Sequence, residues 1–364
     1  MQHHEYDAQG HIPALDGLRG IAVALVITCH LHERMWRFLW GSVGVTIFFV
    51  LSGYLITRLA LQEEVKTGRL HVLAFYIRRT FRIFPVYYAV LAIYAVLILG
   101  VHVWPAKIAP FRSALPYYLT YLQEIPYWTV ALPSNQDRPF YQSWSLGIEE
   151  KFYLVWPLLM VAIARRNWRM RVAVVAVTAA GCVLQGIVTE GRPTYHLEHY
   201  GFILFGVCLA LILSRPGYYS LFQRGSKAVV PLAVLLVLGT QFILMPYTRL
   251  HALTTIYALA MTVCLGAIVS YRGPVREALS VPWLVMIGKV SYAIYLIHIL
   301  CIGVVERFAK PGHGVFVGVI AYVGTLALST AIAYLSHRAF ERPLIRLGRR
   351  LSQRFLRPAQ EASV

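Results

Sequence analysis

Charged side chains are scarce in this chain, and acidic ones scarcest. Sixteen Asp and Glu stand against 34 Lys and Arg, and charged residues make up 14% of the 364-residue sequence while hydrophobic residues make up 58%. With a positive mean hydropathy, that balance excludes an ordinary soluble globular domain and makes the bilayer the simplest solvent. Paired cysteines are lacking as well. Cys29, Cys182, Cys208, Cys264 and Cys301 occur singly inside apolar runs without CxxC spacing, which excludes a disulfide framework and a zinc site and leaves them as small core residues. Internal repeats, Gly/Ser linkers, low-complexity tracts and nucleic-acid motifs are absent too. One membrane domain is therefore expected over residues 1–345, with a basic cytoplasmic tail over 346–364.

What the chain does have is apolar stretches of bilayer-spanning length, at 18–34, 39–58, 83–101, 145–164, 171–189, 197–213, 228–246, 252–270, 282–304 and 315–337. They predict an all-α membrane protein, a bundle of about ten transmembrane helices. Polar residues interrupt the first stretch and no small-residue cleavage site follows it, so it reads as a span and not as a signal peptide. Basic clusters within 58–82, 165–171, 215–227, 272–276 and 338–357 alternate with shorter or less basic loops. Because loops rich in Lys and Arg stay cytoplasmic, ten spans with both termini inside fit all five clusters. The net charge of +18 is on this reading a topological signal, and attraction to anionic lipid or substrate is the second reading. Residues 102–142 have to begin and end outside, and the semi-apolar run from Leu115 to Leu132 reads as a re-entrant or interfacial segment. Its Trp104, Tyr117, Tyr118, Tyr121, Tyr127 and Trp128 suit an aromatic belt, the commoner use, or stacking on sugar rings.

Ionisable side chains inside spans are costly, so each marks a candidate site. LDGLRGIAVALVITCHLH carries Arg19 and His30 eleven residues apart, on one helix face and about 16 Å apart along the axis. Snorkelling of Arg19 and a helix-end role for His30 are the competing structural uses. In GVTIFFVLSGYLI, the small residues Gly44, Ser52 and Gly53 predict close helix packing. FYIRRTFRIFPVYY sets Arg78, Arg79 and Arg82 at the mouth of the third span, where guanidiniums grip phosphate with forked hydrogen bonds or simply flank the span. QSWSLGIEEKFYLVWP places Glu149 on a face with Ser145 and Tyr153, while Glu150 faces elsewhere, toward Lys151 or water. GKVSYAIYLIH puts Ser291, Tyr295 and His298 on one stripe, more often a packed polar network than a catalytic one. Glu341, Arg342 and Pro343 read as a helix stop with an internal ion pair.

These segments, six in order from Ile12 to about Leu344, resemble the acyltransferase 3 family of multipass membrane O-acyltransferases, which modify bacterial polysaccharides, lipid-linked sugars and some macrolides. The resemblance maps the family's Arg and His pair onto Arg19 and His30, and its SWSLxxE block onto Ser143, Trp144, Ser145, Leu146 and Glu149. It implies about ten core spans in a bacterial inner membrane, an acyl-coenzyme A donor taken from the cytoplasmic side, and no metal. Relatives with an exported hydrolase-like domain are common; this chain is expected to resemble the single-domain members.

The expected reaction moves an acyl group, acetyl foremost, from acyl-CoA to a hydroxyl of a sugar in a surface glycan, a lipid-linked saccharide or a glycosylated natural product. His30 is the expected general base or acyl carrier, with Glu149 orienting it or stabilising its cation. Arg19, Arg78, Arg79 and Arg82 are expected to hold the coenzyme A phosphates, and Asp16, Ser143, Trp144, Ser145, Tyr153, Ser291, Tyr295 and His298 to support the site. Membrane lipids are the other expected partners, and nucleic acid is not. A proton-coupled transporter or flippase of an anionic or sugar-containing substrate is the competing reading; a membrane scaffold would give Glu149 and His30 no reason to be in the bilayer.

Overall fold

The computed structural model describes residues 10–125, 138–163, 167–189, 197–244, 251–312 and 314–356. Among them there are only helices, turns and irregular segments, and no strand. In chain order the α-helices are α1 (Pro13–His30), α2 (Val43–Thr67), α3 (Val72–Ala95), α4 (Ile108–Leu119), α5 (Trp144–Ile163), α6 (Trp168–Val188) and α7 (Leu197–Leu213). They are followed by α8 (Pro216–Gly239), α9 (His251–Ser270), α10 (Pro274–Leu279), α11 (Pro282–Lys289), α12 (Ser291–Val305), α13 (Val315–Ser336) and α14 (Arg342–Gln353). Three of them run on into π turns: α3 into Val96–Gly100, α8 into Thr240–Leu244 and α13 into His337–Glu341.

The protein is a multi-pass membrane protein. Six helical stretches are long and apolar enough to cross a bilayer, and up to eight if two bent pairs each count as one. The bent pairs are α7 with the start of α8 (105°) and α11 with α12 (79°). Each of the ten expected stretches overlaps a helix among the described residues, but two fall short of a full span: the apolar part of α8, Lys227–Ile243, is short, and α5 carries Glu149, Glu150 and Lys151 in its first half. The longest unbroken stretch, Val315–Gln353, has 39 residues, or about 58 Å at 1.5 Å per residue, nearly twice a ~30 Å hydrocarbon core. This corrects the expected stop at Glu341. Pro343 falls in the first turn of α14, where its missing N–H costs nothing, and Glu341 pairs with His337 at 3.1 Å instead of with Arg342.

The chain forms two compact units. The first comprises residues up to Arg58 and Arg166–Ala333. Within it α1 packs along α11, α6 along α7 and α8 along α9. Small residues make these approaches possible: a Cβ on Gly17 would collide with the Leu279 backbone, and one on Gly288 with the backbone of Asp16. Gly53 meets the Ile203 backbone and Gly206 that of Val50, so α2 and α7 cross through reciprocal glycines, the packing use expected of the SGY segment. Of the cysteines, Cys264 and Cys301 are buried as expected, whereas Cys29 is exposed.

The second unit comprises Leu59–Arg165 and the chain from Tyr334 onward. Here α14 packs on α3, with Gly348 against the Phe81 ring. Between α3 and α5 the only helix among the described residues longer than one turn is the twelve-residue α4, too short to span. The aromatics of this segment are not all a belt. Tyr118 and Tyr121 are buried, and Tyr121 stacks on Tyr87 with ring centroids 4.2 Å apart. Phe140 joins the same cluster at 5.3 Å from Tyr87 and 5.4 Å from Tyr118. Both Tyr121 (φ 56) and Phe140 (φ 66) hold left-handed backbone, a conformation bulky residues adopt only when surrounding packing imposes it. Tyr117 is exposed, Trp104 is half-buried, and Tyr127 and Trp128 lie outside the described residues.

Candidate active site

In the first unit three side-chain contacts join α1 and its following residues to α12. Arg19 Nε donates to Ser291 Oγ at 3.2 Å, the His30 and His298 rings meet at 3.2 Å between nitrogens, and His32 Nδ1 lies 2.7 Å from Glu306 Oε2. All three advance in the same direction on both segments, so α1 and α12 run the same way, and the faces carrying Arg19 and His30 and carrying Ser291 and His298 are turned toward each other. Ser291 is the first residue of α12 and fully buried, at the 79° break from α11. Irregular backbone of this kind is tolerated at membrane depth where protein buries it. Tyr295 is also buried, edge-on to Phe48 at 6.2 Å. Asp16, in the first turn of α1, pairs with His11.

Hydrogen bonding fixes the protons on the two histidines. His298 Nδ1 lies 2.7 Å from the Tyr295 carbonyl, an acceptor, so it carries the proton and Nε2 is left as an acceptor. His30 Nδ1 lies 2.8 Å from the Val26 carbonyl and 3.2 Å from that His298 Nε2, so it too carries the proton and donates to both. An imidazolium at His298 would turn an N–H toward the Nδ1 of His30 and break this arrangement. An uncharged His298 is the form that fits these contacts.

The second unit holds the other predicted residues. Tyr153 Oη donates to Glu149 Oε2 at 3.1 Å on α5. Arg79 lies over the Tyr153 ring, 5.0 Å from its centroid, and also near Phe75 at 5.9 Å. The three arginines are not equivalent; α3 begins at Val72 and carries them in its second and third turns. Arg78 is ion-paired with Glu63, Arg79 is half-buried against aromatic rings, and Arg82 is exposed. Lys151 does not pair with Glu150: its ammonium lies 2.6 Å from Glu124 and 2.8 Å from the Tyr121 carbonyl. Gly147 permits this, since a Cβ there would strike the Glu124 carboxylate. Ser143 is buried in the turn before α5, its Oγ donating to Phe140 O at 2.8 Å and its carbonyl accepting from Gln123 at 2.9 Å. Trp144 is half-buried and Ser145 buried at the start of α5.

The motif reading passed over Glu198. It lies in the first turn of α7, fully buried, and accepts from Thr255 Oγ1 at 3.1 Å; its signal was a carboxylate inside an apolar run, the same one that singled out Glu149. Glu306 was missed because it lies at the end of its apolar run, and its meaning depends on His32. Among the described residues no group of His, Cys, Asp and Glu is arranged to hold a metal ion.

The sequence profile of the family described as an acyltransferase domain matches residues 12–337. The chain belongs to the acyltransferase 3 family. It is 27% identical over 368 residues to the O-acetyltransferase OatA of Staphylococcus aureus, a match covering 93% of this chain and 58% of that protein; against the peptidoglycan O-acetyltransferase OatA of Listeria monocytogenes the identity is 28% over 365 residues, covering 93% of this chain and 56% of the relative. The chain thus spans under three-fifths of the length of these relatives. No solved structure matches it.

Proposed function

We propose that the protein is a membrane O-acyltransferase that moves an acetyl or other acyl group from acyl-CoA to a hydroxyl of a sugar. The observation that carries this reading is the contact between His30 and His298, which holds the His30 imidazole by its Nδ1 edge. A histidine so held is a candidate general base. His30 Nε2 takes the proton as the acceptor oxygen bonds to the thioester carbonyl carbon. When the C–S bond breaks, the imidazolium returns that proton to the departing thiolate, so an ester and a thiol are formed and the base is regenerated. His298 acts by position, holding the His30 tautomer. Arg19, anchored to Ser291, is the proposed anion holder of the first unit; Arg78, Arg79 and Arg82 have that role in the second. Glu149, held by Tyr153, is the second proposed catalytic group.

Basic-loop topology supports a donor reaching the site from the cytoplasm, with both termini on that side of a bacterial inner membrane. For the acceptor, the name of the Listeria relative points to a glycan hydroxyl, and lipid-linked saccharides and glycosylated natural products fit the same chemistry.

Thermal stability of the detergent-purified protein is the test that needs no acceptor. Saturable stabilisation by acetyl-CoA, weakened in Arg19→Ala, is expected, since a ligand binding only the folded state raises its stability. No shift with acetyl-CoA or longer acyl-CoAs in folded protein would overturn the donor assignment and move a transporter ahead.

A further inference from the structure

In the second unit, the turn between α2 and α3 closes over a cavity of about 460 Å³. Its wall includes Arg69, His71 and Leu73 from the turn and the start of α3, Met160 from the end of α5, and Phe355 just beyond α14. The polar residues of the turn are held in one network. Glu63 accepts the His71 amide at 2.8 Å and faces His71 Nδ1 at 3.3 Å. Its other oxygen takes Arg78. Arg69 Nε donates to His71 Nε2 at 3.3 Å, so the ring proton sits on Nδ1, toward Glu63. Thr67 Oγ1 fixes the turn itself by donating to the Arg69 carbonyl at 2.7 Å. Arg69 at the cavity wall is in this way linked through His71 and Glu63 to Arg78, and α3 carries Arg82 about 6 Å further on.

Resting on the donor reading above, we propose that this cavity takes the nucleotide end of the acyl-CoA, with the adenine between Phe355 and the apolar wall and the phosphates on Arg69. Leu73, Met160 and Phe355 give the cavity apolar wall, and the exposed Phe355 ring is a surface on which a nucleobase can stack. Arg69 supplies a forked donor at its rim, and Arg78, Arg79 and Arg82 follow along α3 in the same unit.

The test uses full-length purified protein and three probes: coenzyme A, adenosine 3′,5′-bisphosphate and pantetheine. Coenzyme A and the bisphosphate are expected to bind wild type, with Phe355→Ala and Arg69→Ala each weakening both by about tenfold and leaving pantetheine binding unchanged. Leu73→Trp, which fills the cavity without removing a charge, is expected to weaken the same two probes. If all three variants bind coenzyme A with wild-type affinity, the proposal is overturned while the donor reading stands. If wild type binds neither coenzyme A nor acetyl-CoA, both fall together.

Discussion

In the first unit Arg19 meets a serine hydroxyl and His30 a second histidine that is itself held by a backbone carbonyl, while carboxylates face His11 and His32 nearer the ends of α1. In the second unit the partners carry charge, Glu63 with Arg78 and Glu124 with Lys151, and Arg79 lies on a tyrosine face. A contact without a formal ion pair costs less desolvation, which suits a group proposed to accept a proton. Charged pairs hold guanidiniums in place for an anion, and opposite charges within each pair limit the cost of burial. Under the proposed reaction, the histidine pair is assigned proton transfer and the guanidiniums of the second unit anion handling, with Arg19 as the anion holder of the first.

The sharpest way to break that contrast is to remove the base. His30→Ala is expected to lower acyl transfer by about 10²–10⁴-fold, read as labelled acyl group appearing on the acceptor, with binding of acetyl-CoA retained. Unchanged transfer would remove His30 from the chemistry. A smaller loss, about 10–100-fold in kcat, is expected of His298→Ala, and His298→Gln should recover part of it because an amide oxygen can still accept from His30 Nδ1. Equal losses in the two variants would mean that His298 only fills space.

On the charged side, Arg79→Lys is expected to raise KM for the donor several-fold with little change in kcat, since lysine keeps the charge but loses the fork and the planar stacking on Tyr153. In the same vein, added salt should raise the donor KM through screening of anion contacts and leave the His30-dependent kcat nearly flat. A kcat that falls with salt as steeply as KM rises would erase the division between the units. The smallest effect is expected from Tyr153→Phe, a few-fold at most, reflecting loss of one hydrogen bond to Glu149 worth about 1 kcal/mol. Whether Glu149 and His30 serve one step is read by a double-mutant cycle: additive losses would assign them to separate steps.

Helices and their close crossings were legible in the sequence because apolar length and small residues act locally. The stripe of Ser291, Tyr295 and His298 was visible for the same reason, as was the shared face of Arg19 and His30. That those two stripes face one another was not, since the partners are separated by 268 to 272 residues and no spacing rule joins them. Lys151 was one of two expected partners of Glu150, with water the other, yet the Glu124 carboxylate reaches it through the gap left by Gly147. Tyr121 looked like a headgroup aromatic until the left-handed backbone at Tyr121 and Phe140 turned the chain inward. Glu341–Arg342–Pro343 looked like a stop because a proline inside an α-helix usually breaks it.

The way past that proline has a further consequence. A π turn is an α turn with one residue too many, and an α-helix rotates about 100° per residue. Deleting one residue from His337–Glu341 would restore a regular helix and swing everything after it by about that angle, taking Gly348 away from Phe81 and bringing a side chain in its place. The face that α14 offers to α3 is set by this inserted residue and not by the periodicity of α13.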